Sequence, residues 1–163
     1  MKKELTDREV EMCNETHIHI SRVNHFLNKF ITSLLKRGEE HDSSKFEDPE
    51  LSILATYTPM RAEKKDNKSQ SYGTKEYKET KKKMQVALDH HYTVNSHHPE
   101  HYSDGVLGMN LLDLVEMLCD WRAATERNPD GDIRKSIKIN AAEKNIPESI
   151  VRILENSVNI LGD

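Results

Sequence analysis

No run of about eighteen apolar residues occurs in the 163-residue chain, so no segment has the length and character of a membrane-spanning helix. The amino-terminal stretch MKKELTDREV is charged with no apolar block behind it, which speaks against an export signal. Cysteine is scarce. Cys13 and Cys119 stand far apart and form neither a CxxC pair nor a disulfide-dense pattern, as suits two reduced thiols in a cytoplasmic protein. Hydrophobic residues make up 35% of the chain, below the usual globular share, against 32% charged. A core this lean must be well patterned, and a bound metal would help to stabilise it. An excess of positive charge is missing too: at a net charge of -4 there is no overall basic field of the kind that holds duplex nucleic acid, and no such partner is expected. The length suits one domain with a single core. None of these features bears on oligomeric state.

From about Thr6 to Arg37 the apolar residues Met12, Val23, Phe26, Phe30 and Leu34 recur at helical spacing, and Gly38 supplies a stop signal. EEHDSSKF predicts a short helical turn, after which Asp48 can cap and Pro49 open a helix to about Tyr57. Residues 61–73 are polar and rich in lysine with no apolar period, and predict a mobile loop able to cover a site. Helix resumes near Thr74, with Tyr77, Met84 and Leu88 on a face with His91, and gives way around Tyr92. Pro99 and Gly105 mark an irregular connection. Leu111 to about Glu126 then forms a strongly apolar helix ended by an NPDG turn, and one or two helices follow, the last in PESIVRILENSVNIL. No strand-like alternation is present. The predicted fold is all-α, one compact domain of about six helices.

What the chain has in quantity is histidine, nine residues in all, five of them within HHYTVNSHHPEH at 90–101. On the apolar helix that follows, Asp113, Glu116 and Asp120 sit at i, i+3 and i+7 and share one stripe. Carboxylates on so hydrophobic a helix are costly to bury without a cation or donors, so something positive should face them; a thin solvated face is the plainer alternative. On the first helix His19 shares the inward stripe with Met12, Val23, Phe26 and Phe30, as a ligand or as a hydrogen-bonded core residue. His41-Asp42 offers an imidazole nitrogen and a carboxylate oxygen side by side, a pairing that suits borderline divalent metals. Lys45 shares a helical face with Asp42 and would orient that carboxylate, hold an anionic substrate, or simply form a surface ion pair.

Taken together, His19 to Val23 in HxxxV, His41-Asp42 with Lys45 in HDxxK, the pair His90-His91, and Asp120 closing the run MLCDW resemble the HD-domain superfamily. Those proteins are all-helical metalloproteins, mostly phosphohydrolases, and the pattern spans residues 19–120. The HDxxK and HH elements are most similar to the HD-GYP branch, which cleaves a cyclic dinucleotide at a site of two or three metals. Here HHPEH stands in the region of that branch's GYP signature, and the histidine it carries between HDxxK and HH is absent. HDxSKF, HHPEH and DLVEMLCDW are also similar to a small family of phage and bacterial proteins. The resemblance implies an HD-domain-like fold in which His19, His41, Asp42 and Asp120 hold one ion and Asp42 bridges to a second held by His90 or His91. His98, His101 and Asp113 are further candidates for metal or substrate.

One or two divalent ions of manganese, iron, cobalt, nickel or zinc would lower the pKa of bound water and polarise a phosphoryl oxygen. Asp42, Lys45 and Glu116 form the expected catalytic set, with Lys45 stabilising phosphate charge and Glu116 orienting the water or accepting from a ligating imidazole. Arg122 and Arg127 are the candidates to reach a phosphate. The expected function is therefore a metal-dependent phosphohydrolase acting on a nucleotide or other phosphorylated small molecule. An HD-like diiron oxygenase and a noncatalytic metal-containing binding protein stand beside it as alternatives.

Overall fold

The computed structural model describes residues 4–57, 75–127 and 129–162; the segment read as a loop, 61–73, lies outside them. All regular structure among the described residues is helical: α1 (Asp7–Glu40), α2 (Glu50–Tyr57), α3 (Lys75–Val94), α4 (Leu111–Thr125), α5 (Ile133–Glu143) and α6 (Glu148–Ser157). Short 3-10 turns occur at Ser43–Phe46, Pro99–His101, Gly105–Gly108 and Val158–Leu161. The all-α expectation holds. Among the described residues no helix is long and apolar enough to cross a membrane. The contacts divide the chain into two units, Met1–Glu39 and Glu40–Asp163.

The first unit consists essentially of α1. Its start is a reciprocal cap, with Glu9 N donating to Thr6 Oγ1 at 3.3 Å and Thr6 N donating to Glu9 Oε2 at 2.8 Å. Gly38, expected as the stop, lies inside the helix, where a glycine costs about 1 kcal/mol relative to alanine but does not break the ladder. The chain turns instead at Asp42, whose φ of 54° is left-handed, a conformation that a short polar side chain tolerates. α1 contains no buried residue, and Met12, Val23, Phe26 and Phe30 are exposed. Within its own unit the stripe that carries His19 has no second layer to bury against, because that unit is a single helix.

In the second unit an apolar core forms between α4, α5 and α6, from Met117, Leu118 and Trp121 on the first, Ile133, Ile137 and Ala141 on the second, and Val151 and Leu154 on the third. Burying a side chain of this size contributes about 1.5–3 kcal/mol. Asn110 caps α4 by accepting from Leu112 N and Asp113 N, and Asp132 caps α5 by accepting from Arg134 N and Lys135 N. Before Val106 the interior changes character. The buried residues with described side chains in 40–105 are Glu50, Ala87, His91, His97 and Pro99. That polar interior is where the histidines gather.

Candidate metal centre

Four segments of the second unit bring the chemistry together: residues 41–45 after α1, the start of α2, the end of α3 with the following turn, and the middle of α4. Asp42, His91, His97 and His98 each present one ligating atom, and these four atoms lie within 4.8 Å of one another. Asp42 Oδ1 is 3.3 Å from His91 Nε2 and 3.6 Å from His97 Nε2, and His91 Nε2 is 2.9 Å from His98 Nε2. Ligands about 2.0–2.2 Å from one ion, at tetrahedral to octahedral angles, stand about 2.9–3.5 Å apart, which is close to this spacing. On the other side of Asp42, His41 Nε2 lies 3.6 Å from Oδ2 and 3.8 Å from Asp120 Oδ1. The Lys45 ammonium donates to Asp42 Oδ2.

Two atoms test whether a cation fits. Asp42 Oδ1 and His97 Nε2 are buried and neither has a hydrogen-bond partner. Buried polar atoms are almost always bonded, and leaving one unbonded costs about 1–3 kcal/mol. A cation seated against both would remove that cost for both, and a set of imidazole nitrogens with one carboxylate suits zinc, cobalt, nickel, iron or manganese.

Protonation favours the same conclusion. Burial alone would raise the Asp42 carboxyl, but the Lys45 ammonium bonded to its Oδ2 holds it below the usual carboxylate range. Glu50 is also held low, because the histidine contacts outweigh the burial that opposes them, with His90 foremost. Burial pushes the His97 imidazole down, with the Glu116 charge opposing it, and pushes His98 down to about 3, helped by His97 and His91. His97 and His98 are accordingly neutral and both carboxylates ionised near neutral pH. Those are the forms that bind metal.

The turn carrying His97 and His98 is fixed to α4 by Asp113. Its Oδ1 accepts from Ser96 Oγ at 2.7 Å, and its Oδ2 accepts from Tyr102 OH and from Asn110 N, both at 2.8 Å. His98, ahead of Pro99, is extended at φ -99° and ψ 129°, as a residue before proline prefers, and its ring turns back toward His91.

The sequence model of DUF5662, a family of unknown function, matches residues 8–160 and so covers every side chain of this cluster. The chain belongs to that family. Among curated proteins and among solved structures nothing matches.

In this DUF5662 protein the expected site residues fall into two sets. His41, Asp42, His91, His98, Glu116 and Asp120 come together with Lys45. His90 instead gives its Nδ1 to Glu50 Oε1 at 2.8 Å. His19 is exposed on α1, and the ligand groups of the second unit form without it. His101 is exposed and donates from Nδ1 to the Tyr92 carbonyl at 3.0 Å. Asp113 serves the loop anchor. Arg122 pairs along its own helix with Glu126 at 3.1 Å, and Arg127 is exposed in the turn after α4. The residues that sequence reasoning passed over are His97, 2% exposed and central, and Glu50, fully buried beneath His90 and His91. His97 stood in plain view beside His98. Glu50 gave no signal, since an acid in the first turn of a helix is ordinary.

Proposed function

We propose that this protein is a metal-dependent phosphohydrolase acting on a nucleotide or other small phosphorylated molecule. Asp42, His91, His97 and His98 hold the ion, and His41 and Asp120 stand on the far side of Asp42 as donors for a second. The observation that carries the reading is the pair of buried atoms without hydrogen bonds, Asp42 Oδ1 and His97 Nε2, 3.6 Å apart beside two further imidazoles. The HDxxK resemblance supports the same chemistry. A divalent ion in such a place supplies an activated water and polarises a phosphoryl oxygen. The chain's own contribution is Lys45. Its side chain is 40% exposed and rests on Asp42, so it can turn its compact charge to a phosphate without leaving the site. The two cysteines, free and exposed, suit a cytoplasmic setting.

The test is elemental analysis of protein purified without chelator or affinity tag, paired with a nucleotide hydrolysis screen over manganese, iron, cobalt, nickel and zinc. Stoichiometric metal and hydrolysis are expected, both lost in Asp42→Asn. Absence of stoichiometric metal from every preparation contradicts the proposal. The two oxygens of Asp42 face separate imidazoles, which would also suit a pair of irons. Turnover that requires dioxygen and iron, with no phosphate release, would favour the oxygenase reading.

A further inference from the structure

A metal ion takes one nitrogen from each imidazole, and here the other nitrogen of four rings ends on one of two carboxylates. Glu50, fully buried, meets His90 Nδ1 through Oε1 at 2.8 Å and His91 Nδ1 through Oε2 at 2.9 Å. Glu116, 11% exposed, meets His41 Nδ1 at 2.8 Å and His97 Nδ1 at 3.1 Å, both through Oε1. An ionised carboxylate only accepts, so each of these four contacts requires the hydrogen on Nδ1. Asn95 Nδ2 and Ser44 Oγ also approach His91 Nδ1, at 3.0 and 3.3 Å. The two hydrogens of Asn95 Nδ2 already have acceptors in Ser44 Oγ at 2.8 Å and the His91 carbonyl at 2.9 Å, whereas a lone pair on His91 Nδ1 would face the buried Glu50 Oε2 at 2.9 Å.

A neutral ring with its hydrogen on Nδ1 carries its lone pair on Nε2. For His91, His97 and His41 that atom lies 3.3–3.6 Å from an Asp42 oxygen. His90 differs: it shares Glu50, its side chain is 38% exposed, and it is not in the group of ligating atoms around Asp42.

We infer that Glu50 and Glu116 are positioning residues that set the tautomer of four imidazoles and so turn the Nε2 atoms of His91, His97 and His41 toward the ion, while His90 balances His91 on Glu50 and does not ligate. The part concerning the ion rests on the metal reading above; the tautomer assignment stands without it. In Glu50→Gln the amide offers one acceptor in place of two. One ring then loses its partner or moves its hydrogen to Nε2, where His91 can no longer ligate. Replacing such a supporting group typically costs about 10- to 100-fold in metal affinity. His90→Asn keeps an N–H for Glu50 and should leave the ion in place.

The experiment has two arms on the full chain. Long-range proton–nitrogen correlation spectra of histidine-labelled, chelator-treated protein should show His41, His90, His91 and His97 all protonated at Nδ1. Any of the four protonated at Nε2 instead overturns the assignment for its carboxylate. In the second arm cobalt(II) is titrated into wild type, Glu50→Gln, Glu116→Gln and His90→Asn, with visible absorption reporting the ligand field and circular dichroism the fold. Both glutamine variants should bind about 10- to 100-fold more weakly with a shifted spectrum, and His90→Asn as wild type does. Wild-type affinity and spectrum in the glutamine variants, or loss of cobalt in His90→Asn, overturns the inference and leaves the metal reading intact. If wild type takes no cobalt while all four rings are protonated at Nδ1, the metal reading and the delivery of Nε2 fall together, and the tautomer assignment survives. Should one glutamine variant fail to fold, the other variant and the wild-type spectrum still decide.

Discussion

His97 is the side chain whose loss should be felt most at the centre, because it is almost fully buried and its Nε2 has no hydrogen-bond partner. His97→Ala is expected to abolish stoichiometric metal by elemental analysis, whereas His101→Ala, which removes a bond to a backbone carbonyl and an edge contact with the Tyr102 ring but no group of the cluster, should leave the metal content at the wild-type value. Lys45 gives a different pattern under the phosphohydrolase reading. Lys45→Met should retain the ion while kcat falls by about 100-fold, the usual scale for removing one preorganised group that stabilises developing charge. Equal turnover in that variant would remove Lys45 from the catalytic set. At this scale the sequence was legible wherever a residue type alone carried chemistry, as in His41-Asp42 or His91. It was silent on Glu50, because its role is set by burial, and burial of an acid at position 50 depends on rings at 90 and 91 folding over it. For His19 the helical face was readable, but a periodic stripe does not say which layer covers it.

At the scale of elements, the link that matters joins the 3-10 turn Pro99–His101 to the start of α4. Asp113 caps its own helix at Asn110 N and receives Ser96 and Tyr102 from the preceding segment, so one carboxylate fixes both the helix start and the turn that presents His97 and His98. Asp113→Ala should destabilise chelator-treated protein by about 1–3 kcal/mol in urea unfolding, combining a lost cap with the loss of two side-chain bonds to the preceding segment. Gly108 guards the same place. A Cβ there would lie 2.5 Å from Asp104 Oδ1 and 2.8 Å from Tyr102 Cβ, displacing the ring that reaches Asp113. Gly108→Ala is expected to cost about 1–3 kcal/mol by the same measurement, as overpacking does, while Gly38→Ala, with nothing within 4 Å, should gain up to about 1 kcal/mol. Helix positions were readable because apolar spacing, a capping residue such as Asp48 and a stop such as NPDG are local signals. The end of α1 was not. Glycine and aspartate both accept the left-handed turn, and the sequence does not rank Gly38 against Asp42.

For the whole molecule, acid should act on stability in one direction. His98 is held down to about 3 and His97 also lies below its ordinary 6.5, so between those values the unfolded chain binds protons that the folded chain refuses. Stability therefore rises with pH through that window and is lost on acidification. Asp42 and Glu50, both held below their ordinary range, keep their contribution above about pH 4 and lose it below, which has the same sign. The urea midpoint of chelator-treated protein should be lower at pH 5 than at pH 7.5, and the reverse order would contradict the assigned shifts. Metal at about a hundredfold excess over its Kd should add about 2.7 kcal/mol at pH 7.5. The uneven interior of the second unit reaches further. Opening the described residues of 40–57 and 82–105 exposes fewer fully buried apolar side chains than opening α4–α6, so it should carry the smaller heat-capacity change. The two halves then respond differently to warming and to chelation. Backbone amides in 41–57 and 82–101 should exchange with solvent quickly in the absence of an ion and slowly in its presence, while those of α5 and α6 keep one rate throughout.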